Sequence, residues 1–284
     1  MTSYDELLIT LASLIFILLL IRWQITAKDN PKKITGNYDM FGCMTIGSRQ
    51  VQEDCFFLND SKNGTLLALA DGMGEPFGGK IASRTAIDVV SDMFDSYNPL
   101  DNPNYFFRKS YNTVNREILK ELQNGINGKT SLTTAIIYQN RLYYATVGNV
   151  KLAIYRKGDL VEISTGHTID SLAKEKFVTG KITRQEAVGL LENQRLYNFL
   201  GADGFKDLEI FDKPVDLIDE DIVVLMTDGI YELLTFNELE ESLNKKIPTE
   251  QMALEIIEKV NQNKTENKDN ASIVLLKVGR KLNW

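Results

Sequence analysis

The chain has 284 residues, 43% of them hydrophobic and 25% charged, with a formal net charge of −7. That balance suits one core of about 200–250 residues with a short appendage rather than two domains, and the acidic surface excludes nucleic acid as the main partner, since phosphate backbones are bound on basic faces. A single histidine argues against a histidine-rich zinc site, and two cysteines, Cys43 and Cys55, cannot build a disulfide framework.

Residues 7–21 read LLITLASLIFILLLI, with only Thr10 and Ser13 as polar interruptions, and Trp23 and Ile25 extend the run past Arg22. No helical face of it is polar, and its length approaches the roughly 20 residues that span hydrocarbon. The acidic start (Asp5, Glu6) and the basic residues that follow (Arg22, Lys28, Lys32, Lys33) are the reverse of a cleaved signal peptide. Residues 1–27 are therefore predicted to be an uncleaved transmembrane anchor. The positive-inside rule then puts the rest of the chain on the cytoplasmic side of the cell membrane. Residues 28–36, KDNPKKITG, read as a linker, and one folded domain is expected over residues 37–284.

Within that domain residues 38–46, 55–59 and 65–70 are short runs of aromatic and β-favouring residues, the last two joined by DSKNG, a hairpin signal. Helical spacing follows over residues 79–97 and 104–123, the second opened by Asn-Pro-Asn. Residues 132–139, 141–148, 151–157 and 159–164 read as an antiparallel meander, punctuated at Asn140, Gly148-Asn149 and Gly158-Asp159. Residues 171–193 read as helical and charged. The wholly apolar run at 222–227 implies a strand buried on both faces. Helices at 236–243 and 249–263 precede a last strand at 271–278. Strands in blocks with helices in pairs predict an α+β sandwich with helices on its outer sheet faces.

Four aspartates stand at strand ends. Asp54 precedes the strand at 55–59, Asp71 follows 65–70, Asp228 follows IVVLMT, and Asp269 precedes the last strand. If those strands share a sheet system, the carboxylates converge at one edge, and buried carboxylates repel unless a cation sits among them. Hard oxygen ligands without histidine or thiolate suit Mg²⁺ or Mn²⁺. Gly72 and Gly229, each following an aspartate, are expected to let the backbone turn sharply and bring a carbonyl to an ion. Arg49 is placed to clamp a phosphate bidentately.

The ordered motifs RQVQED at 49–54, ALADGMG at 68–74, YYATVGN at 143–149, GHT at 166–168, FLG at 199–201, LMTDGIYELL and KDNASIVLL resemble the metal-dependent serine/threonine protein phosphatases of the PPM or type 2C family, particularly bacterial members, over nearly the whole soluble part. GKITRQEA at 180–187 looks like that family's mobile flap. The resemblance implies a central antiparallel β-sandwich flanked by pairs of helices and a centre of two Mn²⁺ or Mg²⁺ ions. Carried over, Asp71 would bridge both ions, Gly72 would ligate through its carbonyl, Asp228 and Asp269 would complete one shell, and Glu53 and Asp54 would act directly or through metal-bound water. Arg49 would hold the substrate phosphate for direct attack by water.

The implied substrates are phosphoserine and phosphothreonine proteins. With the predicted anchor, the implied opponent is a serine/threonine kinase at the same membrane. The alternative is a membrane-tethered module that binds phosphoproteins with weak or no catalysis. Three departures bear on this choice. Asn149 stands where the family's aspartate helps hold a third, weaker metal. Glu75-Pro76 and Lys80 replace the usual residues after the first metal turn. Gly166 leaves His167 without an aspartate partner, so His167 is expected to be structural.

Overall fold

The run Ile222–Met226 (β10) is buried along its whole length, as its unbroken apolar sequence requires. Residues on alternate faces meet different layers: Ile222, Val224 and Met226 join the core beneath helices, whereas Val223 and Leu225 join the core between two sheets. This strand belongs to a computed structural model that describes residues 38–75, 77–122, 126–190, 195–205 and 207–279, all within the unit Asn37–Trp284. The predicted anchor at 1–27 and linker at 28–36 lie outside the described residues. Among the described residues no helix is long and apolar enough to cross a membrane.

Two antiparallel sheets face each other. The first has the order β1 (Tyr38–Thr45), β11 (Ala271–Val278), β10, β6 (Lys151–Arg156), β7 (Asp159–Glu162). The second has the order β2 (Cys55–Ser61), β3 (Gly64–Glu75), β4 (Asn127–Tyr138), β5 (Arg141–Val147), β8 (Glu209–Ile210), with β9 (Val215–Asp216) also paired to β5. Leu67, Leu69, Leu142, Leu152 and Val274 fill the space between the sheets.

Helices α1 (Gly78–Ser96) and α2 (Pro103–Glu121) cover the second sheet, packing Ala82, Ala86, Val90, Phe107 and Tyr111 against Leu66, Ala68 and Leu132. The start of α2 is fixed locally: Pro103 opens it and the Asn102 side chain accepts from the Tyr105 N–H at 3.0 Å. Helices α6 (Phe236–Leu243) and α7 (Thr249–Gln262) cover the first sheet through Leu239, Met252, Ile256 and Val260. Thr235 and Glu238 form a reciprocal capping box at the start of α6. The expected helix–sheet–sheet–helix layering is thus present.

Three expectations need correction. The four strands β4 to β7 are not one meander: β4 and β5 pair in the second sheet, β6 and β7 in the first, and Gly148–Val150 carries the chain across. Turn residues mark where a hairpin reverses but not which sheet it joins. Second, β3 does not end at Ala70 but pairs with β4 as far as Glu75↔Asn127. Third, the segment read as one helix at 171–193 holds two short ones, α3 (Ile169–Val178) and α4 (Arg184–Val188). Gly180 at φ +70° separates them, and Thr183 with Glu186 caps the second.

Candidate active site

The predicted acidic residues come from segments that meet at one edge of the sandwich. Asp54 stands just before β2, and Asp71 lies within β3 opposite Ser131 of β4. Asp228 opens the short helix α5 (Asp228–Tyr231) directly after β10, and Asp269 stands two residues before β11. Because β11 lies between β1 and β10, the ends of the described fold are brought to the same place.

The electrostatics register this convergence. Burial pushes the Asp71 carboxyl well above the usual carboxylate range, and Asp228, Asp54, Asp269 and Glu53 push it further. Asp228 is raised to about 7, by burial first and then by Glu232, Asp269 and Asp54. Asp54 is raised to about 6 by burial, against the opposing effect of hydrogen bonds from Ser272 and Thr227.

The carboxylates of Asp54, Asp228 and Asp269 are also held by neighbouring side chains. Asp54 is buried, and its Oδ2 accepts from Ser272 Oγ at 2.7 Å and Thr227 Oγ1 at 3.1 Å, so one oxygen ties β2 to the ends of β10 and β11. Asp228 Oδ2 accepts from Asn149 Nδ2 at 2.9 Å. The Glu53 N–H donates to the Asn270 side chain at 2.8 Å, and the Asn270 amide reaches the Ile46 carbonyl at 2.9 Å. Arg49, expected to clamp phosphate, instead forms a bidentate pair with Asp269: Nε to Oδ1 at 2.9 Å and Nη2 to Oδ2 at 2.6 Å.

Gly72 and Gly229 do not turn the chain as expected. Gly72 is extended within β3, and Gly229 is helical. Close approach is the reason for glycine at both positions. A Cβ on Gly72 would stand 2.2 Å from the Gly79 carbonyl oxygen and 2.7 Å from that of Glu53, and one on Gly229 2.1 Å from that of Asn270. Gly72 thereby lets α1 and the Glu53 backbone close over β3 beside Asp71.

The sequence profile described as protein phosphatase 2C matches residues 41–272. The chain belongs to the protein phosphatase 2C family. Membership makes it a serine/threonine protein phosphatase. It is 28% identical over 220 residues to the serine/threonine phosphatase stp of Listeria monocytogenes, spanning 75% of this chain and 84% of that protein. The S. agalactiae serine/threonine phosphatase superposes with a TM-score of 0.72 at 22% identity, covering 85% of this chain and 99% of that one. The catalytic domain of PstP, solved in complex with 2 manganese ions, superposes at 0.65 and 22% identity over 86% of this chain and 99% of that one. The two structural likenesses bear on the fold.

The donor chemistry of this phosphatase fits hard divalent cations: five carboxylates, no thiolate or imidazole among them, each raising another's pKa. Among the described residues no three carboxylates stand close enough to share one ion in the arrangement seen. Asp269 is taken up by Arg49, and Asp54 by Thr227 and Ser272.

Thr227, Ser272, Asn270 and Ser131 were not singled out by sequence reasoning, yet they steady the carboxylates or the loops that carry them. For Thr227, Asn270 and Ser272 the signal is adjacency, a hydroxyl or amide one to three residues from Asp228 or Asp269; Ser131 has no acidic residue near it in the chain and carries no such signal.

His167, the phosphatase's one histidine, was expected to be structural. It is buried, its Nδ1 accepts from the Gly148 N–H at 3.2 Å, and its ring meets Tyr197 edge-on at 5.5 Å. Burial holds its pKa below the ordinary value. Protonation would place a hydrogen on Nδ1 facing the Gly148 N–H. A histidine depressed in the folded state supports stability fully above its unfolded pKa of about 6.5, and that support is lost as pH falls through the lower folded value. The native chain should therefore lose more stability than His167→Asn between pH 7.5 and pH 5, because asparagine accepts the same bond without titrating. Urea unfolding of both at the two pH values tests this; a gap between them that is unchanged by pH would sink it.

Proposed function

We propose that the chain hydrolyses phosphoserine and phosphothreonine in proteins with the help of two Mn²⁺ or Mg²⁺ ions. The observation that carries this is the meeting of Glu53, Asp54, Asp71, Asp228 and Asp269 at one sandwich edge, where each raises the charge cost of its neighbours. Asp71, Asp228, Asp269 and the Gly72 carbonyl would hold the cations, with Glu53 and Asp54 acting directly or through water. When bound, such cations supply Lewis acidity toward water and the phosphoryl oxygens. Arg49, on leaving Asp269, holds the phosphate through its planar fork of donors. Thr227 and Ser272 keep Asp54 oriented, and Asn270 holds the Glu53 backbone in place.

A cavity of about 770 Å³ adjoins this edge, bounded by Asn149, Glu162, Tyr231 and the α3 residues Asp170, Lys174 and Val178. It gives room for the peptide that flanks a phosphorylated residue. The PstP catalytic domain with its 2 manganese ions supports a two-ion centre here by likeness of fold. The apolar stretch at 7–25, with basic residues after it, supports tethering at the cytoplasmic membrane face. A serine/threonine kinase at the same membrane is then the natural opponent.

The test uses the full chain in mild detergent on a phosphothreonine peptide, with Mn²⁺, Mg²⁺ or EDTA. Phosphate release with either cation and none in EDTA is the expected result; release that persists in EDTA would defeat the metal-dependent reading. Membrane and soluble fractions of cells making the chain test the tether, which fails if the protein is found in the soluble fraction.

A further inference from the structure

Asn149 sits in the Gly148–Val150 crossing between the sheets and touches both. Its Oδ1 accepts from Ser131 Oγ at 2.6 Å, its backbone N–H donates to the same Oγ at 3.2 Å, and its carbonyl accepts from the Tyr231 hydroxyl at 3.0 Å. Its Nδ2 donates to Asp228 Oδ2 at 2.9 Å. Ser131 belongs to the second sheet and Asp228 follows β10 of the first, so one side chain struts the two sheets across the mouth of the site.

The amide has one workable orientation. Ser131 Oγ already accepts from the Asn149 backbone, and its single hydrogen goes to Oδ1. The amide nitrogen must then face Asp228. The reverse orientation would set an amide oxygen against a carboxylate. The close seat on Ser131 needs glycine next door: a Cβ on Gly148, at φ +95°, would stand 2.1 Å from Ser131 Oγ.

We propose that Asn149 is a positioning residue, which holds the Asp228 carboxylate in its ligating orientation and is itself aligned by Ser131. The inference rests on the metal-dependent reading of the site. A neutral donor suits this task because it fixes an acidic ligand without cancelling the charge that a dication requires, whereas a lysine or arginine would compete with the ion. Partners that orient a metal ligand typically contribute about 10–100-fold to metal affinity. The role of Ser131 is indirect and passes through the Asn149 amide, so the two residues act as one unit.

The experiment is Mn²⁺ titration calorimetry on the full chain and on Asn149→Ala, Ser131→Ala and the double variant, with thermal melting of each in EDTA. Asn149→Ala should weaken Mn²⁺ binding about 10–100-fold, Ser131→Ala should weaken it less, and the double variant should match Asn149→Ala alone. A role confined to packing would shift the melts and leave affinity unchanged in the folded proteins, and that result overturns the proposal. So does a double variant whose loss is the product of the two single losses. If Asn149→Ala gives no cooperative melt, Ser131→Ala decides alone: a severalfold loss supports the proposal and an unchanged affinity overturns it. Failure of the unaltered chain to bind Mn²⁺ would instead remove the metal-dependent reading, and this inference with it.

Discussion

Asp71→Ala should abolish metal-dependent phosphate release and at the same time raise the melting temperature in EDTA. The first effect follows from position. Asp71 lies in β3 among four other acidic residues, all of which raise its pKa. As a proposed cation ligand buried among the other acidic residues, it would be one whose loss no neighbour replaces. The charge stabilisation supplied by metal ions is worth several kcal/mol, and each loss of about 1.4 kcal/mol is tenfold in rate, so a fall of about 10³-fold or more is expected.

The second effect follows from linkage. A carboxyl whose pKa is raised on folding favours the folded state below its unfolded pKa and opposes it as pH rises through the folded value. At neutral pH, above the unfolded pKa, the raised Asp71 pKa therefore works against the fold when no cation is bound. Alanine removes that opposition. Added Mn²⁺ should reverse the order of stability, because a ligand that binds only the native state stabilises it by mass action. Steady-state kinetics and paired melts in EDTA and Mn²⁺ measure both effects. A variant that is less stable than the native chain in EDTA and still active would refute this account of Asp71.

Arg49→Ala should move two binding constants in opposite directions. Its guanidinium holds both oxygens of Asp269 in the structure, so a phosphate at Arg49 or a cation at Asp269 competes with this pair. Losing bidentate, charge-assisted bonds to phosphate removes about 3 kcal/mol, which is about a 10²-fold rise in KM for a phosphopeptide. Freeing Asp269 releases an ion pair of which both partners are substantially exposed, with side-chain accessibilities of 58% and 43%. Such pairs hold about 0.2–1 kcal/mol, so Mn²⁺ should bind up to about fivefold more tightly. Removing a nearby positive charge acts in the same sense. Kinetics with a phosphopeptide and Mn²⁺ calorimetry read the two effects separately. A KM that does not change would show that Arg49 does not hold phosphate, and a weakened Mn²⁺ affinity would contradict the shared use of Asp269.

Much of this was legible in the sequence, for a physical reason. The strand at 271–278 and the helix at 236–243 were read at their observed bounds, because a run built around IVLL and a capped amphipathic turn are local signals. The aspartates were legible through their order and spacing taken together, since a single Asp-Gly after a strand is usually only a turn. The sheet crossing at Gly148–Val150 was not, since β6 pairs with β10 far along the chain and no turn residue encodes that choice. The capture of Asp269 by Arg49 and the support of Asp54 by Thr227 and Ser272 were equally hidden. They depend on which side chains face each other once the sheets have formed, and that is set by register rather than by spacing in the chain.

The place of β11 between β1 and β10 has a consequence for how the molecule is made. Synthesis delivers β1 first among the described strands and β11 last, yet these two are hydrogen-bonded neighbours. While the chain emerges from the ribosome, β1 and β10 wait with open edges, the kind of surface that pairs promiscuously if it is left uncovered. Asp54 lacks Ser272, Arg49 lacks Asp269 and Glu53 lacks Asn270 for the same interval. The acidic edge thus acquires these supports only when β11 docks, so a chain that ends before residue 269 lacks Asp269, Asn270 and Ser272, the partners of Arg49, Glu53 and Asp54.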